Sequence, residues 1–407
     1  GNYGNCWTFG TFGSMESCLL TGESRDFSEN NLANLHGFDR AYGAGGNYFM
    51  SMAYLGRWSG PVNEADDPYS NGAISPTGCT VQKHMQQFVI IPDRTSALDN
   101  ENSKQVIMAY GGIYSTFYWE NPYYNSAYAA YYYSGTNYGN HAITVVGWDD
   151  NFAYSNFSPA APGNGAWLIK NSWGTSWGQS GYGWISYYDS RIGTYNGVFL
   201  NADSTANYSA IHQYDTLGYV SSFGYGSSTA YGANIFPMSA DGTVQAVGFY
   251  LLSPGASYEV SVYSGVTAGS PTSGTLAATK TGSATYAGYY TFVLDSPVSL
   301  TAGQNFSVVV RFTCPSLEYP LPCEVKFSNY SSQATAASGE SYLSSNGSTW
   351  EEALYNSEYF NICIKAFGAG GSSPTPTPTP NPNAYYAAVY ADYGEYYTSY
   401  AYYYYDP

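Results

Sequence analysis

Charge is what this sequence has least of. Only 12 Lys and Arg and 29 Asp and Glu serve 407 residues, for a formal net charge of −17, and there are 4 histidines. Phosphate backbones are held by clustered Lys and Arg, so nucleic acid is excluded as a partner. No apolar run approaches the roughly 18–20 residues of a membrane-spanning helix, and no signal-peptide pattern is visible. No set of metal-ligating residues stands out, and no cofactor is expected. What the chain has in plenty is neutral: 47 Tyr and 45 Gly, with a surface of Ser, Thr, Asn and Tyr in place of Lys and Glu. Such a surface is typical of exported proteins, so an extracellular or cell-surface location is expected. At 407 residues the chain is long enough for two or three domains, each with its own core.

The stretch with the most chemistry comes first. Cys6-Trp7 opens a run in which Phe9, Phe12, Met15 and Leu19 recur at three- and four-residue steps, which predicts a helix starting at the cysteine with one buried face. A thiol there feels the positive end of the helix dipole, which favours the nucleophilic thiolate. Far downstream, His141 stands at the mouth of the β-prone run Ala142-Ile143-Thr144-Val145-Val146, and Asn171 lies in Lys170-Asn171-Ser172-Trp173-Gly174. Cys, His and Asn in this order and at this separation are the parts of a thiol–imidazole–amide triad.

These motifs resemble the papain-like cysteine peptidases. The resemblance implies Cys6 as nucleophile, His141 as its base and later its acid, Asn171 as the group holding the imidazole, and Trp173 as a cover over that hydrogen bond. It implies further that the segment Tyr42-Gly43-Ala44-Gly45-Gly46 binds substrate backbone through Gly45 and Gly46. The family's glutamine, six positions before the nucleophile, would fall before Gly1. The family's usual framework disulfide is missing, because the position three before Cys6 is Tyr3.

Elsewhere the reading is coarser. Ser28 is expected to cap a short helix, residues 48–58 another, and residues 104–120 a helix followed by a strand. The Tyr- and Asn-rich loop 121–140 is expected to drape over the cleft. Beyond about residue 200, short alternating runs around 244–250, 258–263, 289–294 and 306–312 follow one another without helices. That predicts an antiparallel β-sandwich. Segment 201–367 resembles the lectin-like domain that accompanies papain-like peptidases in surface proteins of anaerobic bacteria and archaea. Cys314 and Cys323, nine apart across a Pro-rich stretch, are expected to form a disulfide.

The expected organisation is therefore an α+β papain-like peptidase domain over 1–200, a lectin-like β-sandwich over 201–367, a Gly/Ser then Pro-Thr linker over 368–383, and a Tyr-rich tail over 384–407. The expected activity is peptide-bond hydrolysis on a protein or peptide substrate at the cell surface, with a cell-wall glycan or surface-layer protein as partner. Two rivals stay open: a structural subunit polymerising through residues 384–407, and a carbohydrate-binding adhesin.

Overall fold

A computed structural model describes residues 3–70 and 72–370. The tail 384–407 and all but the first residues of the linker lie outside the described residues.

The first helix, α1 (Cys6–Leu19), opens at the cysteine as the sequence predicts. It does not bury a single face. Trp7, Phe12 and Met15 are buried, and so are Thr8, Gly10, Thr11, Gly13 and Ser14 on the other sides. The periodic apolar residues mark the side toward α2 (Glu29–Leu35) and α3 (Tyr48–Gly56). The small residues mark the side that lies on strands. A β-carbon at Gly13 would collide with the Thr144 side chain, so glycine sets how closely helix and sheet approach. Ser14 Oγ donates to Gly112 O at 2.7 Å, and the Gly112 N–H donates to Ser17 Oγ at 2.8 Å, pinning the helix in register. At α2, the Ser28 hydroxyl accepts the Asn31 N–H at 3.0 Å, the expected cap.

The strands of this half are β1 (Lys83–Ile91), β2 (Ile113–Phe117), β3 (Tyr124–Asn125), β4 (Ala130–Tyr131), β5 (His141–Asp149), β6 (Ala166–Lys170), β7 (Tyr182–Ser186) and β8 (Thr194–Ser204). Helix α4 (Glu101–Tyr110) precedes β2. The strands run in the order β3-β4-β7-β6-β5-β2-β8-β1.

The sheet does not stop there. The free side of β1 pairs antiparallel with Ala287–Leu300, from Gln87↔Tyr290 to Ile90↔Ala287. Strands Gly242–Leu251, Ile364–Ala369 and Ala210–His212 continue it to 12 strands. A six-stranded sheet built on Ser257–Val266, Asn305–Thr313 and Thr229–Pro237 covers the later part. The two sheets meet through rings such as Phe249 and Phe312, 5.5 Å apart, and through Val247, Val260, Val308 and Val310. The sandwich read from the sequence is present, but one of its sheets is shared with the first half of the chain.

Buried polar groups stitch the same junction. The Arg57 guanidinium donates to His36 O at 3.2 Å and Thr216 O at 3.1 Å. Lys365 and Asp215, both buried, pair at 2.9 Å.

The expected Cys314–Cys323 disulfide does not form; both thiols are free and buried. Cys323 lies on strand Leu321–Glu324, opposite Ser221, with its thiol toward Leu321 O at 3.3 Å. Cys314 sits just past the Asn305–Thr313 strand, near Leu252 and Ser253. Nearness in sequence did not bring the sulfurs into one orientation.

Candidate active site

Three elements bring the predicted residues together. Cys6 begins α1, and His141 begins β5, opposite Phe117 of β2. In the antiparallel register of β5 and β6, Thr144 faces Lys170. Asn171, one residue past the end of β6, therefore comes back toward the start of β5. Its own N–H donates to Gly181 O at 3.0 Å, which fixes the turn.

The Asn171 Oδ1 accepts the Ser172 N–H at 2.8 Å, so that oxygen is identified as the acceptor end of the amide. His141 Nε2 lies 2.8 Å from the same oxygen. In a neutral ring Nε2 therefore carries the proton and Nδ1 keeps the lone pair. The Trp173 ring stacks on the imidazole, with centroids 4.7 Å apart and planes 19° apart. Phe117 closes another side at 5.7 Å. Buried in this way, His141 is held down to about 4, burial being the main cause and the Asn171 bond opposing it.

Ala142, the residue after His141, donates its N–H to the Cys6 sulfur at 3.4 Å. That bond, with the N–H groups of Trp7 and of Cys6 itself, favours the thiolate, but burial outweighs them and pushes the thiol up. The donors at the helix opening act in the expected sense, but desolvation outweighs them for the isolated thiol. Each group alone prefers its neutral form, whereas a thiolate beside an imidazolium would stabilise both charges.

Gly45 and Gly46 lie in a segment docked on the opening of α1. The Gly4 N–H donates to Gly43 O at 2.9 Å, and the Gly43 N–H donates to Asn5 Oδ1 at 3.0 Å. A β-carbon at Gly46 would strike the Trp7 indole, so only glycine lets the segment lie this close to the helix that carries Cys6.

Several contributors were not read from the sequence. Trp119 packs edge-on against Trp173 at 4.6 Å and stacks on Tyr131 at 4.8 Å. Asn140 holds it, accepting the Trp119 N–H at 2.7 Å and donating to Trp119 O at 3.1 Å. Adjacency of Asn140 to His141 was the available signal. The tyrosines of the 121–140 loop join this packing. Tyr131 takes the Glu120 N–H at 3.1 Å and donates to Tyr118 O at 2.7 Å, while Tyr124 stacks on Trp177 at 5.4 Å. The loop is a packed aromatic block beside the His141 end of β5, with short strands of its own.

Comparison with known proteins finds relatives of both halves of the chain. Residues 1–201 match the papain family of cysteine proteases, and residues 211–368 match the lectin-like domain. A cysteine protease of Blomia tropicalis is 26% identical over 212 residues, covering 49% of this chain and 59% of that protein. Cysteine proteinase EP-B 1 of Hordeum vulgare is 28% identical over 195 residues, 45% of this chain and 48% of that one. The chain thus spans about half the length of the relatives it matches by sequence.

Among solved structures, the clostridial cysteine protease Cwp84 after propeptide cleavage superposes with a TM-score of 0.76 at 28% identity, over 92% of this chain and 95% of that one. The cysteine protease and lectin-like domains of Cwp84, a surface layer associated protein of Clostridium difficile, give a TM-score of 0.74 at 27% identity, over 92% and 85%. The chain belongs to the papain family of cysteine proteases through residues 1–201 and continues into a lectin-like domain over residues 211–368.

Proposed function

We propose that the chain hydrolyses peptide bonds as a cysteine endopeptidase, through an acyl-enzyme on Cys6, with His141 as base and acid and Asn171 orienting it. One observation carries this reading: a His141–Asn171 hydrogen bond of 2.8 Å beneath the Trp173 ring, on the strand whose next residue bonds the Cys6 sulfur. His141 Nδ1 takes the thiol proton, and the sulfur attacks the scissile carbonyl carbon. The Cys6 N–H, at the helix opening, donates to the oxyanion. The C–N bond then breaks and the amine leaves with the imidazolium proton. Water, giving its proton to His141, attacks the thioester and releases the acid, and the thiol is restored. Gly45 and Gly46 form the edge against which substrate backbone pairs.

The place of action is outside the cell, on proteins of the surface layer. The weakly charged, Tyr- and Ser-rich composition supports this, as does the likeness to Cwp84, which is surface layer associated. The lectin-like domain takes a wall glycan in this reading. The test is digestion of unfolded casein by the full chain and by Cys6→Ala. Internal cleavage by the first, lowered at least about a thousandfold in the second, is expected for loss of a nucleophile. Equal rates, or no cleavage by the unmodified chain, would sink the proposal.

A further inference from the structure

A loop of the lectin-like domain reaches the wall of the cysteine site. Segment 38–47 leads to α3, and residues 330–332 hold it at both ends. At the first, the Asp39 N–H donates to Tyr330 O at 2.9 Å, and the Asp39 carboxylate accepts from Ser332 N–H at 3.0 Å and Oγ at 2.6 Å. The Phe38 ring lies 4.9 Å from Tyr330. At the second, Asn47 Nδ2 donates to the Tyr330 hydroxyl at 3.2 Å. That leaves Asn47 Oδ1 facing the Met50 N–H at 3.0 Å, where it caps α3.

Between these points runs Gly43–Gly46, docked on residues 4–7 as described above. The loop is itself anchored. Ser331 Oγ donates to Val325 O at 2.7 Å, and Thr335 O accepts from Asn361 Nδ2 at 2.7 Å, an amide that also donates to the buried Glu324 at 2.9 Å.

We infer that Tyr330 and Ser332 are positioning residues for the peptide-binding edge, so that the lectin-like domain sets the peptidase half's affinity for its substrate. This rests on the peptidase reading above. Three of the four residues at 43–46 are glycines, which lose more conformational freedom on ordering than any other residue. A tether at both ends meets that cost before substrate arrives, and preorganisation of this kind raises affinity without adding a contact. No bond of the tether reaches Cys6, His141 or Asn171, so the chemical step should not feel it.

The experiment compares the full chain with Tyr330→Phe/Ser332→Ala, and with Ser332→Ala as the milder variant. Three quantities are read: hydrogen exchange of residues 41–47, steady-state hydrolysis of a peptide, and the alkylation rate of Cys6. Exchange over 41–47 should quicken while 141–149 holds. KM should rise roughly three- to tenfold, the scale of one or two lost hydrogen bonds, with kcat within about twofold and alkylation unchanged. Ser332→Ala should move the same readings less. Unaltered exchange, faster exchange with unaltered KM, or a joint fall of kcat and alkylation would each overturn the positioning role alone. Absence of hydrolysis by the unmodified chain would overturn the peptidase reading and this one with it.

Discussion

Helix α1 carries two cysteines, one at each end, and they are chemically unlike. Cys6, in the first turn, has three N–H groups pulling its thiol down against burial. Cys18, near the last turn, has burial alone, which pushes it up to about 12. Both are partly exposed. The donor end of a helix favours an anion and the acceptor end opposes it, and only the first is met by a strand bearing a histidine. The difference teaches that reactivity here belongs to the place on the helix, and that burial raises both thiols.

The widest separation should appear in turnover. Cys6→Ala should lower hydrolysis at least about a thousandfold, while Cys18→Ala should leave kcat within about twofold, since that thiol touches none of the reacting groups. Equal losses would mean that α1 had been disturbed as a whole. Next in size, Asn171→Ala should cost about 1.5–3 kcal/mol, or roughly ten- to a hundredfold in kcat, the worth of a hydrogen bond to a group that becomes charged. Alkylation comes third: brief exposure to iodoacetamide at mildly acidic pH should label Cys6 at least about tenfold faster than Cys18, measured by mass spectrometry. Matching labelling would erase the distinction between the two ends.

The smallest effect is on stability against pH. His36, His84, His141 and His212 are all held down by burial, to about 3, 4, 4 and 4. A depressed histidine stabilises fully above its unfolded value near 6.5, and that contribution is lost as pH falls toward 4. The buried carboxyls work oppositely. Glu16 is raised to about 7 and Glu324 to about 8, so their contributions are whole below about 4.5 and are lost as pH rises to those values. Between about pH 4 and 6.5 the four histidines outweigh the two carboxyls, so thermal melts should show stability rising to a maximum near pH 6.5 and declining from there to about 8. Glu324→Gln should flatten the alkaline decline.

Local signals explain what the sequence made legible. A cysteine at a helix opening, a serine cap and a histidine before a β-prone run each act within a few residues, and each lies where it was expected. Gly10 and Gly13, on the strand side of α1, carry no apolar period of their own, so the sequence marks only the other face. Strand β1 was not read at all. Its partners lie more than a hundred residues ahead on each side, and backbone pairing leaves little mark on side chains. The Cys314–Cys323 expectation failed for a related reason: spacing gives the distance along the chain and not the direction of a thiol. The network of Arg57, Asp215, Lys365 and Glu324 was equally hidden, since single charges far apart in sequence announce no partners.

Strand β1 belongs to both halves at once, bonded to β8 on one side and to Ala287–Leu300 on the other. A nick between β8 and Ala210–His212 would therefore cut the covalent thread without parting the pieces. The two fragments would stay annealed along the sheet and migrate as one particle until denatured. Expressed alone, a fragment ending at residue 204 would bare the edge of β1, and one beginning at 205 would bare the edge of Ala287–Leu300. Naked edges of this kind invite aggregation. Mixed during refolding, each edge is the cap that the other lacks, so the halves should recover together what neither holds apart.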